Sequence, residues 1–174
     1  MKYFVKLFVI TFFLIASIPA MAEQKIVVLD MTYVLNQSKA GKGAQDFLKK
    51  SFNDNAKKFS DLEKALKKEE SDLLSKKNIL SKEDYTKKSD ALRKKVIDYQ
   101  SQRRSSLDKI ATQRAESRKT LLQKISPIVD SYIKENNISI VIDKKNMIGG
   151  LNEYDITKVI VEKLNKELPS LNLQ

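Results

Sequence analysis

From Ser38 to Ser126 the chain contains no proline, and along that stretch apolar side chains return at every seventh residue. Phe52, Phe59, Leu66, Leu73 and Leu80 form one such line, and Tyr85, Leu92 and Tyr99 form a second. A seven-residue period keeps side chains on one stripe of a slightly supercoiled helix, so two long helices are expected. The residue numbers of Leu80 and Tyr85, of Leu73 and Leu92, and of Leu66 and Tyr99 each add to 165. That is the arithmetic of an antiparallel hairpin reversing near residue 82, with these eight residues as its seam.

The reversal has local support. Lys76 and Lys77 suit a helix C-terminus, where cations meet the negative end of the dipole, and Asn78 can end the helix. Ser81 with Asp84 makes an acidic variant of the capping box, and Leu80 with Tyr85 occupies the positions of a hydrophobic staple. The tip is therefore placed near 78–82. The seam itself is narrow: its companion positions include Asn55, Glu69 and Lys76, and the return line runs into Ser106. From Lys42 to Asn78, at about 1.5 Å per residue, the arm reaches on the order of 55 Å.

The two chain ends read differently. Lys25 to Leu29 is apolar and β-branched, as is Ile138 to Ile142, and both are expected as buried strands; Asn146 to Ile148 is expected as a third, with Gly149-Gly150 at a turn. A turn of helix should carry Tyr33, Val34 and Leu35, and Ser38 is placed to cap the long helix that follows. Pro127 should kink the returning helix, and Asp155 should cap a last helix that ends at Pro169. The resulting division is a β-containing body from 23–41 and 125–174 and a helical arm from 42–124. Ile26, Val28, Ile138, Ile140, Ile142, Ile156, Val159 and Ile160 are the body's candidate packing and oligomerisation residues. Two or three short strands protect their edges poorly, which favours burial against copies of the same chain.

Residues 1–22 have the three parts of a secretory leader: Lys2 and Lys6, an apolar run from Leu7 to Ile18, and the small-x-small site Ala20-Met21-Ala22. Cleavage after Ala22 is expected; the alternative is retention of residues 4–20 as a membrane anchor, with the arm as a structural coiled-coil stalk. There is no cysteine, so disulfides and thiolate metal sites are excluded.

No catalytic constellation is visible. The chain has neither histidine nor cysteine, Gly41-Lys42-Gly43 lacks what a phosphate loop requires, and Glu69-Glu70 and Glu83-Asp84 read as helix-surface charges. No enzyme, cofactor or metal is expected. Charge is more informative. Residues 42–124 hold 23 Lys and Arg against 13 Asp and Glu, and the densest run is Lys87, Lys88, Arg93, Lys94, Lys95, Arg103 and Arg104. These form either a solvated helix face or a basic patch that attracts acidic proteins or anionic lipid. A nucleic-acid partner is not expected, because carboxylates are interleaved along the arms and a leader precedes them.

At this point the residues resemble the Skp/OmpH family of periplasmic chaperones over essentially the whole chain after the leader. The matching stretches are Lys25 to Asp30, Ser38 to Lys42, Leu74 to Tyr85, Ile140 to Lys144 and Asp155 to Ile160, in order around a charged hairpin. The resemblance implies a jellyfish-like homotrimer, mainly α with a small β body, whose arms enclose a cavity. It further implies a periplasmic, ATP-independent holdase for unfolded outer-membrane β-barrel proteins, with lipopolysaccharide as a further contact of basic arm residues.

Overall fold

The computed structural model describes residues 24–173, so the leader, with Lys2, Lys6 and the Ala20–Ala22 site, lies outside the described residues. The described chain opens with strand β1 (Lys25–Leu29), followed by a short helix α1 (Met31–Gln37) and the outgoing arm helix α2 (Lys39–Ser75). The arm returns as α3 (Lys82–Glu135), and the chain then forms β2 (Ile138–Asp143) and a last helix, α4 (Thr157–Glu167). The protein is thus mainly helical around a two-stranded sheet.

β1 and β2 pair in parallel, with Ile26 opposite Ile140 and Val28 opposite Ile142. Parallel neighbours need a crossover connection, and here the whole helical hairpin supplies it. Alternation along β1 turns Val27 and Leu29 inward, where they meet Val34, Leu35, Ile125, Ile138, Ile160 and Leu164 in one apolar core. Leu121 belongs to that core too, so it extends one turn into the segment expected to be arm.

The junction of α1 and α2 is tight. Ser38 is fully buried and closes both helices: its N–H donates to Val34 O, and its Oγ accepts from Gly41 N at 3.2 Å. A Cβ on Gly41 would lie 1.9 Å from the Leu35 carbonyl oxygen, so only glycine lets the two helices approach this closely.

Two expectations about the ends need correction. No third strand forms among the described residues: 144–146 is a 3₁₀ turn, because Asp143 accepts a hydrogen bond from Lys145 N at 3.1 Å and ends β2 there. Without that strand, Gly149-Gly150 is irregular chain and not a hairpin turn. α3 runs through Pro127 as one helix of 54 residues; Ile125 and Ile128, which flank the proline, are held in the core.

Asp155 ties the ends together. Its carboxylate accepts from Thr157 N at 2.9 Å and from Lys144 Nζ at 2.7 Å, while Thr157 Oγ1 accepts from Asp30 N at 2.8 Å. Ile156 N donates to Val28 O at 2.9 Å, joining the last segment to β1 on the side away from β2. Burial raises the Asp155 pKa, but the hydrogen bonds from Lys144 and Thr157 outweigh it and hold the carboxyl below its ordinary 3.8.

Candidate functional surface of the helical arm

The tip is built as its residues dictate. α2 stops at Lys76, whose N–H turns back to Leu73 O and Leu74 O, and α3 starts at Ser81. Ser81 Oγ accepts from Asp84 N at 3.0 Å and donates to Asp84 Oδ2 at 2.6 Å. The turn is therefore centred between Lys76 and Ser81, ahead of residue 82. Contacts along the middle of the arm follow: Lys95 with Glu69, Tyr99 with Glu63 and Ser106 with Asn55 have numbers adding to 161–164, up to one turn short of 165.

Of the eight seam residues, Phe59 and Leu92 are buried, and Leu66, Leu73, Leu80, Tyr85 and Tyr99 are half-buried. Phe59 meets Tyr99 edge-on at 5.9 Å between ring centres. Phe52 departs from the expectation and leaves 52% of its surface exposed. At its level the helices close on Leu48, Ile110 and Ser117, all buried, so Phe52 sits at the lip of the seam. Those three were missed, although Ile110 and Ser117 continue a companion line four residues after Tyr99 and Ser106, broken by Arg103. The polar residues that interrupt the heptads answer one another instead. Ser106 Oγ donates to Asn55 Oδ1 at 2.7 Å, and Lys95 Nζ reaches both oxygens of Glu69 at 2.6 and 2.8 Å.

These polar contacts close one flank of the seam. At about 100° per residue, Glu69 and Lys95 fall on the same side of their helices, while Glu63, Lys67, Arg93 and Gln100 fall on the other. That other flank is crossed by one longer contact, from Tyr99 Oη to Glu63 at 3.4 Å, and is otherwise open among the described residues. Three grooves of about 590, 270 and 480 Å³ follow it from Gly41 to Leu74; the first two share Phe52, and the last two share Glu63 and Tyr99.

The basic run is partly neutralised. Lys87 pairs with Glu83 at 3.1 Å, Arg93 with Asp90 at 3.1 Å and Lys95 with Glu69, whereas Lys88, Lys94, Arg103 and Arg104 form no ion pair among the described residues. Glu63, hydrogen-bonded to Lys67 and in its field, is held below the usual carboxylate range. The hairpin also redistributes charge in space. The body-side half of the arm, residues 42–58 and 103–124, holds 12 Lys and Arg against 4 Asp and Glu. The tip-side half, 59–102, holds 11 against 9. The positive field therefore sits near the body, where Arg114 and Arg118, absent from the run singled out in sequence, stand one turn apart.

In the body, Ile138, Ile156 and Ile160 belong to this chain's own core, and Val28 is also buried; Ile142 is half-buried. Ile26, Ile140 and Val159 are exposed, and so are Ile148 and Leu151, in irregular chain, and Tyr154, at the end of a 3₁₀ turn (Asn152–Tyr154). Among the described residues no group of three His, Cys, Asp or Glu side chains is arranged to hold a metal.

Comparison with known proteins bears on the whole of this architecture. The chain is 28% identical over 166 residues to a Skp-like protein of Pseudomonas aeruginosa, covering 95% of this chain and 99% of that one. A crystal structure of an OmpH-like outer membrane chaperone from Caulobacter crescentus superimposes with a TM-score of 0.79 over 88% of this chain and 90% of that one, at 16% identity, a likeness of fold. The family model described as outer membrane protein (OmpH-like) matches residues 25–164, from the first residue of β1 into α4. The chain belongs to the OmpH-like family, whose members are chaperones and not enzymes.

Proposed function

We propose that this chain is a periplasmic, ATP-independent holding chaperone that takes up unfolded outer-membrane β-barrel proteins between export and insertion. The observation that carries this reading is the cationic surplus on the body-side half of the arm, with Arg103, Arg104, Arg114 and Arg118 free of ion pairs among the described residues. Outer-membrane barrel precursors are commonly acidic, so such a field raises encounter rates and weakens with salt. Family membership and the relatives' descriptions support the chaperone role.

Self-association into a trimer is part of the same proposal. A two-stranded sheet is marginal alone, and Ile26 and Ile140 are paired neighbours on its uncovered face. With Leu151, Tyr154 and Val159 they offer an apolar surface for further copies, which would set several arms around a common space. Removal of the leader after Ala22 delivers the chain to the periplasm in this scheme. Contact with anionic lipid or lipopolysaccharide through Lys88 and Lys94 is a secondary role.

The test is native mass spectrometry of the chain from Glu23 onward, alone and after mixing with a urea-unfolded outer-membrane barrel protein diluted into buffer. Three chains alone, and three chains with one client afterwards, are expected. A monomer or dimer that never acquires client would refute the proposal.

A further inference from the structure

We infer that the open flank of the seam is itself a binding furrow: each arm grips an extended, acidic, apolar-containing polypeptide segment between its own two helices. This rests on the chaperone reading and goes beyond a space enclosed between arms. The three grooves lie on the same side of α2 and on the same side of α3 and share lining residues end to end. Their apolar lining carries Leu48, Phe59, Leu66 and Leu92, with Phe52 at the lip, and Glu63 and Tyr99 mark the junction of the last two.

Three properties select the occupant. From Leu48 to Leu74 the furrow runs roughly 40 Å at 1.5 Å per residue. An extended chain at about 3.3 Å per residue fills that with about twelve residues. One leaflet of a bilayer, about half of the ~30 Å hydrocarbon core, sets the reach of a lipid chain at less than half the furrow. Next, Ser60, Ser89 and Gln100 are spread along the lips, where they can meet a peptide's N–H and C=O groups; a lipid chain would leave them facing hydrocarbon. Finally, Arg103, Arg114 and Arg118 line the body-side half and form no ion pair among the described residues, so carboxylates on the guest find ready partners there.

Because the chain has no cysteine, single cysteines give unique attachment points. Phe52→Cys and Leu107→Cys place a benzophenone maleimide in the furrow, and Leu62→Cys places one on a residue that lines none of the grooves; all three side chains are exposed to a comparable degree. Each labelled protein, from Glu23 onward, is irradiated with a urea-unfolded acidic barrel protein diluted into buffer. Crosslinking from positions 52 and 107 should exceed that from 62 by about fivefold or more. Adding Arg114→Glu and Arg118→Glu should lower the yield at position 52 by at least about fivefold, since two attractions become repulsions.

Equal or greater yield at position 62, with the barrel protein still kept from aggregating, overturns the furrow and leaves the chaperone reading standing. No crosslink at any position, with the barrel protein aggregating freely, overturns both. If phosphatidylglycerol vesicles shield the labels at 52 and 107 and the unfolded protein does not, the occupant is lipid and the inference fails.

Discussion

Gly41 and Gly43 lie two residues apart in the first turns of α2, yet substitution by alanine should move stability in opposite directions. A Cβ at position 41 would stand 1.9 Å from Leu35 O and 2.9 Å from both Leu35 C and Ser38 Oγ, whereas a Cβ at position 43 meets nothing within 4 Å. Relieving the first clash requires backbone to move by more than an ångström, prising α2 from α1 and pulling Leu35 out of the core. Overpacking of that kind costs about 1–3 kcal/mol. Loss of the Ser38 Oγ bond to Gly41 N adds about 1 kcal/mol, and the better helix propensity of alanine returns about 1. Gly41→Ala should therefore destabilise by about 2 kcal/mol, and Gly43→Ala should stabilise by just under ~1. Urea titration followed by helical circular dichroism, at matched protein concentration, separates the two variants by about 3 kcal/mol, or roughly 1–3 M in midpoint for an m-value of about 1–3 kcal/mol/M. Gly41→Ala as stable as the parent would refute the argument that the junction requires a missing side chain.

Further outcomes follow from other contacts. Phe59→Ala should cost about 3 kcal/mol in thermal melts and Phe52→Ala less than about 1, because the first side chain is buried and the second stands half in solvent. Asp155→Asn should lose about 1–2 kcal/mol at neutral pH. The Asp155 pKa is lowered on folding, so its contribution is complete above the unfolded value of 3.8 and is lost as pH falls through the lowered value. The gap between parent and variant in urea titrations should accordingly close as the pH falls below 3.8. Ser106→Ala leaves Asn55 Oδ1 without its donor and should cost about 1 kcal/mol, while adding Asn55→Leu should recover most of it; strict additivity in that cycle would mean the two residues do not interact.

The long-range plan was legible because it rests on periodicity. Seven-residue spacing gave two helices, and capping chemistry at Ser81 and Asp84 gave their junction within a few residues. The register was harder to read, since pairing numbers about a fixed sum takes the centre of the turn as known, and Lys76 ends α2 sooner than Asn78 suggested. Phe52 was misplaced because a heptad position records direction and not depth: Leu48, one turn earlier, fills the seam first. The clustering of charge beside the body was invisible in the linear sequence, where residues 42–58 and 103–124 are far apart and only the hairpin brings them level. The third strand failed because Asp143 offers its own carboxylate to the next turn, a local hydrogen bond that apolar content does not report.

The parallel pairing of β1 and β2 also sets an order of events. Lys25 finds Ile138 more than a hundred residues later in the chain, and the Asp155 segment later still closes the other side of β1. Closing a loop of that length in a disordered chain is entropically costly and slow, but a folded hairpin draws its two feet together by purely local contacts. The arm therefore has to zip from its tip before the body can assemble. β1 waits, unpaired, until β2 has followed it more than a hundred residues later in the chain. A truncation that removes the final helix should leave an intact hairpin beside an unfolded first strand.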